Sequence, residues 1–405
     1  MPEESLERPT LLVLTSTFPR WNNDTEPAFV LELCKRVGDR FRVIVLAPHA
    51  PGARRKETMD GLSVHRYRYF FEKWQSLAYD GGILNKLKAN PLRYFLVPFF
   101  LLSQLRALVV IMGRERVDII HAHWIIPQGL VVALAKQFHL VRAPVVCTSH
   151  GADLFAMNGP LLSRLKTWIL SSCGVITVVS NIMKKKVLQL GVDEDRIRVI
   201  SMGVDLATRF TPADDGQRSG NEILFVGRLV EKKGVLDLLH AVRKIADQHD
   251  GVTLLVIGGG PQKEMLEQAA RSLGISDRVN FMGPLHSEEL VRYYRRAAVA
   301  AFPFTVARGG DQEGLGLVLI EALGCECPVV ASDLEAVKDV IIPERNGLLT
   351  RPGDRNGIAA AILHLLQEPV LAADMASRGR QYVLSRFNWD IVAARYADLM
   401  DEMIR

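Results

Sequence analysis

The sequence predicts an α/β protein built from two Rossmann-like, doubly wound domains. Short runs rich in β-branched residues alternate with segments of helical periodicity, the pattern of parallel strands covered by helices. The alternation stops at a polar, turn-rich stretch from Thr211 to Asn221, which contains Pro212, Gly216 and Gly220, and then starts again. The chain's 405 residues, 48% hydrophobic and 23% charged, suffice for two separate cores.

In the first half, strands are expected at Leu11–Thr15, Val43–Ala47, Val117–His121, Val145–Thr148, Gly174–Val179 and Val199–Met202. In the second half they are expected at Ile223–Val226, Thr253–Ile257, Val279–Phe281, Val299–Phe302 and Val329–Ala331. Residues 1–205 and 206–386 are the natural domain division. The run Leu11–Leu14 has only strand length, and the acidic, polar lead from Met1 to Pro9 does not read as a secretory leader.

Five cysteines (Cys34, Cys147, Cys173, Cys325 and Cys327) are an odd number without a C-x-x-C pair. They argue against a disulfide framework or a zinc site and place the expected compartment in the cytoplasm. The formal net charge is +5, and residues 66–116 are basic and aromatic together: Arg66, Tyr67, Arg68, Tyr69, Phe70, Phe71, Lys73 and Trp74, then Lys86, Lys88, Arg93, Arg106, Arg114 and Arg116. Two readings fit: peripheral contact with an anionic membrane, or an ordinary helix pair packed on a core. The apolar run from Tyr94 to Met112 is interrupted by Pro98, Ser103, Gln104 and Arg106, which suits an interfacial helix better than a spanning one. No recognised nucleic-acid module is present, and no nucleic-acid partner is expected.

Ligands of doubly wound sheets bind outside the carboxyl ends of the strands. If the two domains oppose those edges across a cleft, three loops line it. Ser149, His150, Gly151 and Asp153 follow Thr148; Gly227, Arg228, Lys232, Lys233 and Gly234 follow Val226; Gly258, Gly259, Gly260 and Pro261 follow Ile257. Arg228 and Lys233 could neutralise a diphosphate as charge develops on it, although alone they read as surface charges. The triple glycine lacks G-x-G-x-x-G spacing, so a tight strand-to-helix turn is favoured over a nicotinamide site.

The segment Glu313-Gly-Leu-Gly-Leu-Val-Leu-Ile-Glu321 carries the most information. A helix starting near Leu315 would expose unpaired N–H groups and a positive dipole end around Gly314, Leu315, Gly316 and Leu317, a site for phosphate. On a helical rise the two carboxylates lie on the order of 12 Å apart. A glutamate-bearing helix after a glycine turn is commonly just a solvated face, but Val318, Leu319, Ile320, Ala322 and Leu323 make this one apolar on most sides. A buried Glu321 needs a hydrogen-bonding reason to be there, which a ligand's hydroxyls would supply.

His121 and His123 share one face of a strand, as a metal-ligand pair could, but no third ligand is evident, and loop packing or acceptor contact is preferred. His150, with Asp153 three residues on, suits either a polar contact to a sugar or a structural role.

The ordered set Phe225-Val-Gly-Arg-Leu-Val-Glu-Lys-Lys-Gly234, Val256-Ile-Gly-Gly-Gly-Pro261, Glu313–Glu321 and Pro328-Val-Val-Ala-Ser332 resembles the retaining glycosyltransferases of the GT-B fold, family 4, over nearly the whole chain. The resemblance implies a C-terminal domain that binds a UDP- or GDP-sugar, with Glu321 on the ribose hydroxyls and Glu313 near the donor sugar. By the same likeness Arg228 and Lys233 hold the diphosphate, aided by backbone N–H groups around Gly316 and Leu317, and His150 lies beside the donor sugar. It further implies that residues 387–405 form a helix crossing back to the N-terminal domain.

The chain departs from that pattern at Asn22–Pro27, where relatives often carry a Gly-Gly turn, and at Gly324-Cys-Glu-Cys327 and Glu335-Ala336. The expected chemistry is transfer with retention to a glycan or polyprenyl-linked acceptor, with the departing phosphate as base and no cofactor or metal required. Two other readings stand beside it: a sugar-nucleotide epimerase or soluble sugar-phosphate synthase of the same fold, and a non-catalytic membrane-associated scaffold.

Overall fold

The structure, a computed structural model, describes residues 8–24, 26–155, 159–213 and 218–405. The polar lead before Arg8 and Gly216 of the interdomain stretch lie outside the described residues. Two compact units divide the chain. One comprises the residues up to Val179 together with Met183–Ile200 and Val392–Arg405; the other comprises Ser180–Ile182 and Ser201–Ile391.

The first unit is an eight-stranded sheet of β1 (Thr10–Leu14), β2 (Arg42–Pro48), β3 (Lys56–Met59), β4 (Leu62–Tyr67), β5 (Ile119–His123), β6 (Val145–Ser149), β7 (Val175–Val178) and β8 (Ile197–Val199), in the order β3-β4-β2-β1-β5-β6-β7-β8. Every pairing is parallel except β3 with β4. The central strands β1, β5 and β6 are buried along their whole length, as strands covered on both faces must be.

The second unit holds β9 (Glu222–Val226), β10 (Thr253–Ile257), β11 (Val279–Gly283), β12 (Val299–Phe302), β13 (Val329–Ser332) and β14 (Leu348–Thr350), all parallel, in the order β11-β10-β9-β12-β13-β14. Both sheets are doubly wound, since the strand order reverses direction at the first strand of each.

The expected strands are present, with three additions and two shifts. β5 runs two residues later than expected, which brings His123 into the strand, and β8 ends at Val199 where a strand was expected to begin. β3 escapes sequence reading because Lys56-Glu-Thr-Met59 is short and polar and pairs on one side only; the tight turn at Asp60 and Gly61, both at positive φ, folds it back onto β4. β4 itself alternates buried Leu62 and Val64 with half-buried Ser63 and His65, a period-two signal that was there to be read. β14 is only three residues long.

The last helix, Trp389–Ile404, belongs from Val392 onward to the first unit. There Arg40 Nη1 donates to Asp398 Oδ1 at 2.6 Å, and Arg40 Nη2 donates to Asp401 Oδ2. The buried Tyr396 hydroxyl contacts the Thr177 and Thr148 hydroxyls at 3.4 and 3.5 Å.

Candidate functional site

In the second unit, three loops at the carboxyl ends of β9, β10 and β12 are knitted together. Gly227 N–H donates to Ile257 O and Leu229 N–H to Gly259 O, each at 2.9 Å. The knit depends on Gly258, at φ 143°: a Cβ there would fall 1.9 Å from Gly227 O. The triple glycine is therefore the tight turn the sequence favoured, and Gly259 contributes its carbonyl to the fold.

The β9 loop continues through the short turn Glu231–Lys233 into the helix Val235–Ala246. Lys232 Nζ donates to Asp311 Oδ1 at 3.0 Å and to Gln312 O at 3.1 Å. Lys233 Nζ donates to Glu313 Oε2 at 2.6 Å and sits 4.4 Å from the centre of the Phe304 ring. Two consecutive lysines thus fasten the segment before the next helix. The Lys233–Glu313 pair is largely desolvated, at 11% and 15% side-chain exposure. Burial pushes the Glu313 carboxyl up, but the Lys233 charge and hydrogen bond, with help from Lys232, more than offset it and hold it below its ordinary value. Glu313 is therefore ionised at neutral pH. Arg228, by contrast, is exposed and makes no side-chain hydrogen bond or ion pair among the described residues.

The helix after Glu313 runs Leu317–Gly324, two residues later than Leu315. Gly316 takes the left-handed conformation at its N-cap, φ 82° and ψ 63°, while Leu315 is buried ahead of it and Gly314 N–H donates to Glu313 Oε1 at 3.3 Å. The first four of the eight steps between Glu313 and Glu321 are therefore loop, and the spacing of about 12 Å expected from a helical rise does not apply to them. The exposed N–H groups of the first turn begin at Leu317.

Glu321 lies within this helix and has a partner inside the protein: the Tyr294 hydroxyl donates to Oε2 at 3.0 Å. The hydrogen-bonding reason for its position is thus partly supplied by Tyr294, a fully buried ring on the helix Ser287–Arg296 that no local sequence signal connects with it. Burial raises the Glu321 carboxyl from 4.5 to about 7, even though Tyr294, Arg209 and Lys233 pull it down. It is poised between protonated and ionised at neutral pH.

In the first unit, His121 and His123 stand ring to ring on β5, centroids 4.0 Å apart. His121 Nε2 bonds Thr148 Oγ1 at 2.6 Å, and His123 Nδ1 bonds His150 Nε2 at 3.0 Å. Burial lowers His121 and His150 to about 3 and His123 well below its ordinary value, so all three imidazoles are neutral through the physiological range. Two neutral rings sharing one hydrogen leave His123 Nε2 and His150 Nδ1 over, and neither has a partner among the described residues. Among those residues no group of three His, Cys, Asp or Glu side chains could hold a metal ion.

Asp153, expected to contact a sugar, is buried and committed locally. Its Oδ2 accepts from Ile125 N–H at 2.7 Å and its Oδ1 from Ser149 Oγ at 2.8 Å. It fixes the turn after β5 beside His150. Trp124, whose ring centre is 4.8 Å from that of His150, and Phe29, at 5.0 Å, complete a wall that sequence reasoning missed.

A family profile described as Glycosyl transferases group 1 matches residues 213–382, and one described as Glycosyltransferase Family 4 matches residues 28–208. The chain is 32% identical over 294 residues to a glycogen synthase of Mycobacterium tuberculosis, covering 70% of this chain and 68% of that protein. It is 28% identical over 288 residues to a GDP-mannose-dependent alpha-(1-6)-phosphatidylinositol monomannoside mannosyltransferase of the same organism, covering 68% and 74%. Among solved structures, a sucrose-phosphate synthase of Thermosynechococcus elongatus superposes with a TM-score of 0.77 at 22% identity, over 98% of this chain and 99% of that one. HepE of Anabaena, solved with UDP, gives 0.72 at 18% identity over 97% and 100%. These likenesses identify the architecture as GT-B, two Rossmann-like units in one chain.

Proposed function

Because the chain belongs to the group 1 glycosyltransferases, we propose that it moves a sugar from a UDP- or GDP-sugar to a glycan or polyprenyl-linked acceptor, with retention of anomeric configuration, in cell-surface polysaccharide or glycolipid synthesis. The observation that carries this reading is the desolvated Lys233–Glu313 pair just ahead of the Leu317–Gly324 helix. It brings a cation and an ionised carboxylate together just before a helix N-terminus, a combination suited to a diphosphate with a sugar attached. The relatives' names, one a glycogen synthase and one a GDP-mannose-dependent transferase acting on a phosphatidylinositol glycolipid, support a glycan or glycolipid acceptor.

In this reading Arg228, Lys233 and the N–H groups around Gly316 and Leu317 receive the charge that develops on the diphosphate, with Gly227 giving the backbone close access. Glu321 accepts from the ribose hydroxyls, and Glu313 orients the donor sugar. His150, whose Nδ1 has no partner among the described residues, is assigned to sugar contact. No side chain is assigned as nucleophile: the acceptor hydroxyl attacks on the face the nucleotide leaves, and the departing phosphate takes its proton. Rate enhancement is then electrostatic and positional. The five cysteines, all free and buried, favour a reducing compartment, and we place the enzyme in the cytoplasm, at the inner face of the membrane.

Thermal unfolding against a panel of nucleoside diphosphates and their sugars tests the donor site, since a ligand at a hundred times its Kd adds about 2.7 kcal/mol. A shift with UDP or GDP that disappears in Glu321→Ala is expected; no shift with any nucleotide would return the chain to the scaffold reading. Proton NMR of the product's anomeric signal tests retention separately. Turnover with no acceptor present would favour an epimerase.

A further inference from the structure

We infer that the surface formed by Glu72–Trp74, Pro91–Phe95 and the outer face of the helix Leu96–Met112 is a docking face that lies in the interface of an anionic lipid bilayer. This deepens the lipid-linked-acceptor reading above. Pro91–Met112 is apolar over 22 residues, long enough by length and composition to cross a membrane. Its burial argues that it lies flat instead. Leu96, Phe100, Gln104, Leu108 and Ile111 are buried at helical spacing against the first unit, so a spanning placement would strip that stripe from its own core.

The opposite stripe is where a surface helix normally carries charge. Here it carries Phe99, Leu102 and Val110 around Arg106, all exposed. Apolar side chains from the neighbouring turns extend it: Leu92 is 82% exposed, Phe71 76% and Phe95 65%. Phe70 ties the group together, stacking on Trp74 at 5.8 Å between centroids and meeting Phe95 and Phe99 edge-on at 6.1 and 5.2 Å. A contiguous apolar ridge of this kind marks an interaction surface.

Charge selects the occupant. Glu72–Trp74 and Gly82–Arg114 together carry six cations (Lys73, Lys86, Lys88, Arg93, Arg106 and Arg114) against one carboxylate, Glu72, which Arg68 pairs at 2.9 Å; Lys86 is paired with Asp80, and the other cations of this face outnumber its acid. A second copy meeting this face about a two-fold axis would set basic rim against basic rim. Anionic headgroups around acyl chains complement both the ridge and the rim.

The test is flotation of the full chain with vesicles of phosphatidylcholine alone and of phosphatidylcholine mixed with phosphatidylglycerol. Binding to the anionic vesicles is expected, weakened by salt. Trp74→Ser with Phe95→Ser and Leu102→Ser should reduce it about tenfold or more, and Lys88→Glu with Arg106→Glu should abolish the preference for anionic lipid, with the wild-type melting temperature kept in both. Absence of vesicle binding overturns the inference, as does binding unaffected by both sets of substitutions. A solution dimer dispersed by the serine variants, with no vesicle binding, assigns the face to a second copy. Retention in the membrane after alkaline carbonate extraction assigns a spanning helix, which equally overturns it. Nucleotide-induced thermal shifts on the same preparations report the donor site independently, so either reading can fail alone.

Discussion

Lys233 and Glu313, eighty residues apart in sequence, are joined by a largely desolvated, hydrogen-bonded ion pair of 2.6 Å. Under the proposed function they are the diphosphate cation and the donor-sugar carboxylate, so each also holds the other in place. The pair is worth more to ligand geometry than to net stability, because a desolvated pair roughly breaks even whereas an orphaned partner is costly.

Lys233→Ala is accordingly expected to lower kcat/KM by about 100- to 1000-fold and to destabilise the fold by on the order of 2–4 kcal/mol through the carboxylate left behind. Lys233→Ala with Glu313→Ala should recover much of the stability and none of the activity. Steady-state kinetics and denaturant unfolding of the four proteins of the cycle check this; strictly additive stability effects would refute the coupling.

Glu321 sets a pH dependence. Its carboxyl is raised in the folded protein to about 7, against 4.5 ordinarily, so its contribution to stability is fully present below 4.5 and is lost as pH rises through 7. The full shift corresponds to about 3 kcal/mol, and because Glu321 is partly exposed a loss of about 1–2 kcal/mol is expected. Urea unfolding between pH 5 and pH 8.5 should show this slope in the wild type and a flatter one in Glu321→Gln.

Tyr294→Phe removes the hydroxyl that donates to the ionised Glu321 at 3.0 Å. The midpoint of that pH profile should move upward, and nucleotide affinity at pH 7 should fall by roughly three- to tenfold, about the free energy of one hydrogen bond. Isothermal titration with UDP and GDP at two pH values measures it; an unchanged midpoint would mean the carboxylate is held by something else.

Gly258→Ala should fail more severely than either glutamate variant. Its Cβ would meet Gly227 O at 1.9 Å in a backbone conformation that L side chains rarely adopt. A loss of about 3 kcal/mol or more is expected, with nucleotide binding lost because the β9 and β10 loops separate. Melting curves with and without nucleotide read both effects.

His123 and His150 share one ring-to-ring hydrogen bond at 3.0 Å, so the tautomer of each is tied to that of the other. His123→Leu should reduce kcat by about tenfold with a smaller change in KM, and His123→Asn, which keeps a polar atom near the Nδ1 position, should restore part of it. Equal losses in the two variants would point to packing alone.

The sequence by itself determined the α/β class, most of the strands, the restart of the pattern beyond Thr211, the loops that carry Arg228, Lys233 and Glu313, and the helix that carries Glu321. Each of these is written in local periodicity or in turn residues beside a strand end, and local signals survive without knowledge of contacts. Only the tertiary structure decided who meets whom. Lys233 reaches Glu313 across eighty residues, Tyr294 reaches Glu321 from another helix, and Asp153 turns to Ile125 N–H and Ser149 Oγ for its buried carboxylate. The same holds for the helix start at Leu317, set by the left-handed Gly316, and for β3, whose polar residues pair along one edge of β4. Pairings between distant residues depend on the packing of whole elements, and no spacing within one segment encodes the partner that another segment will bring.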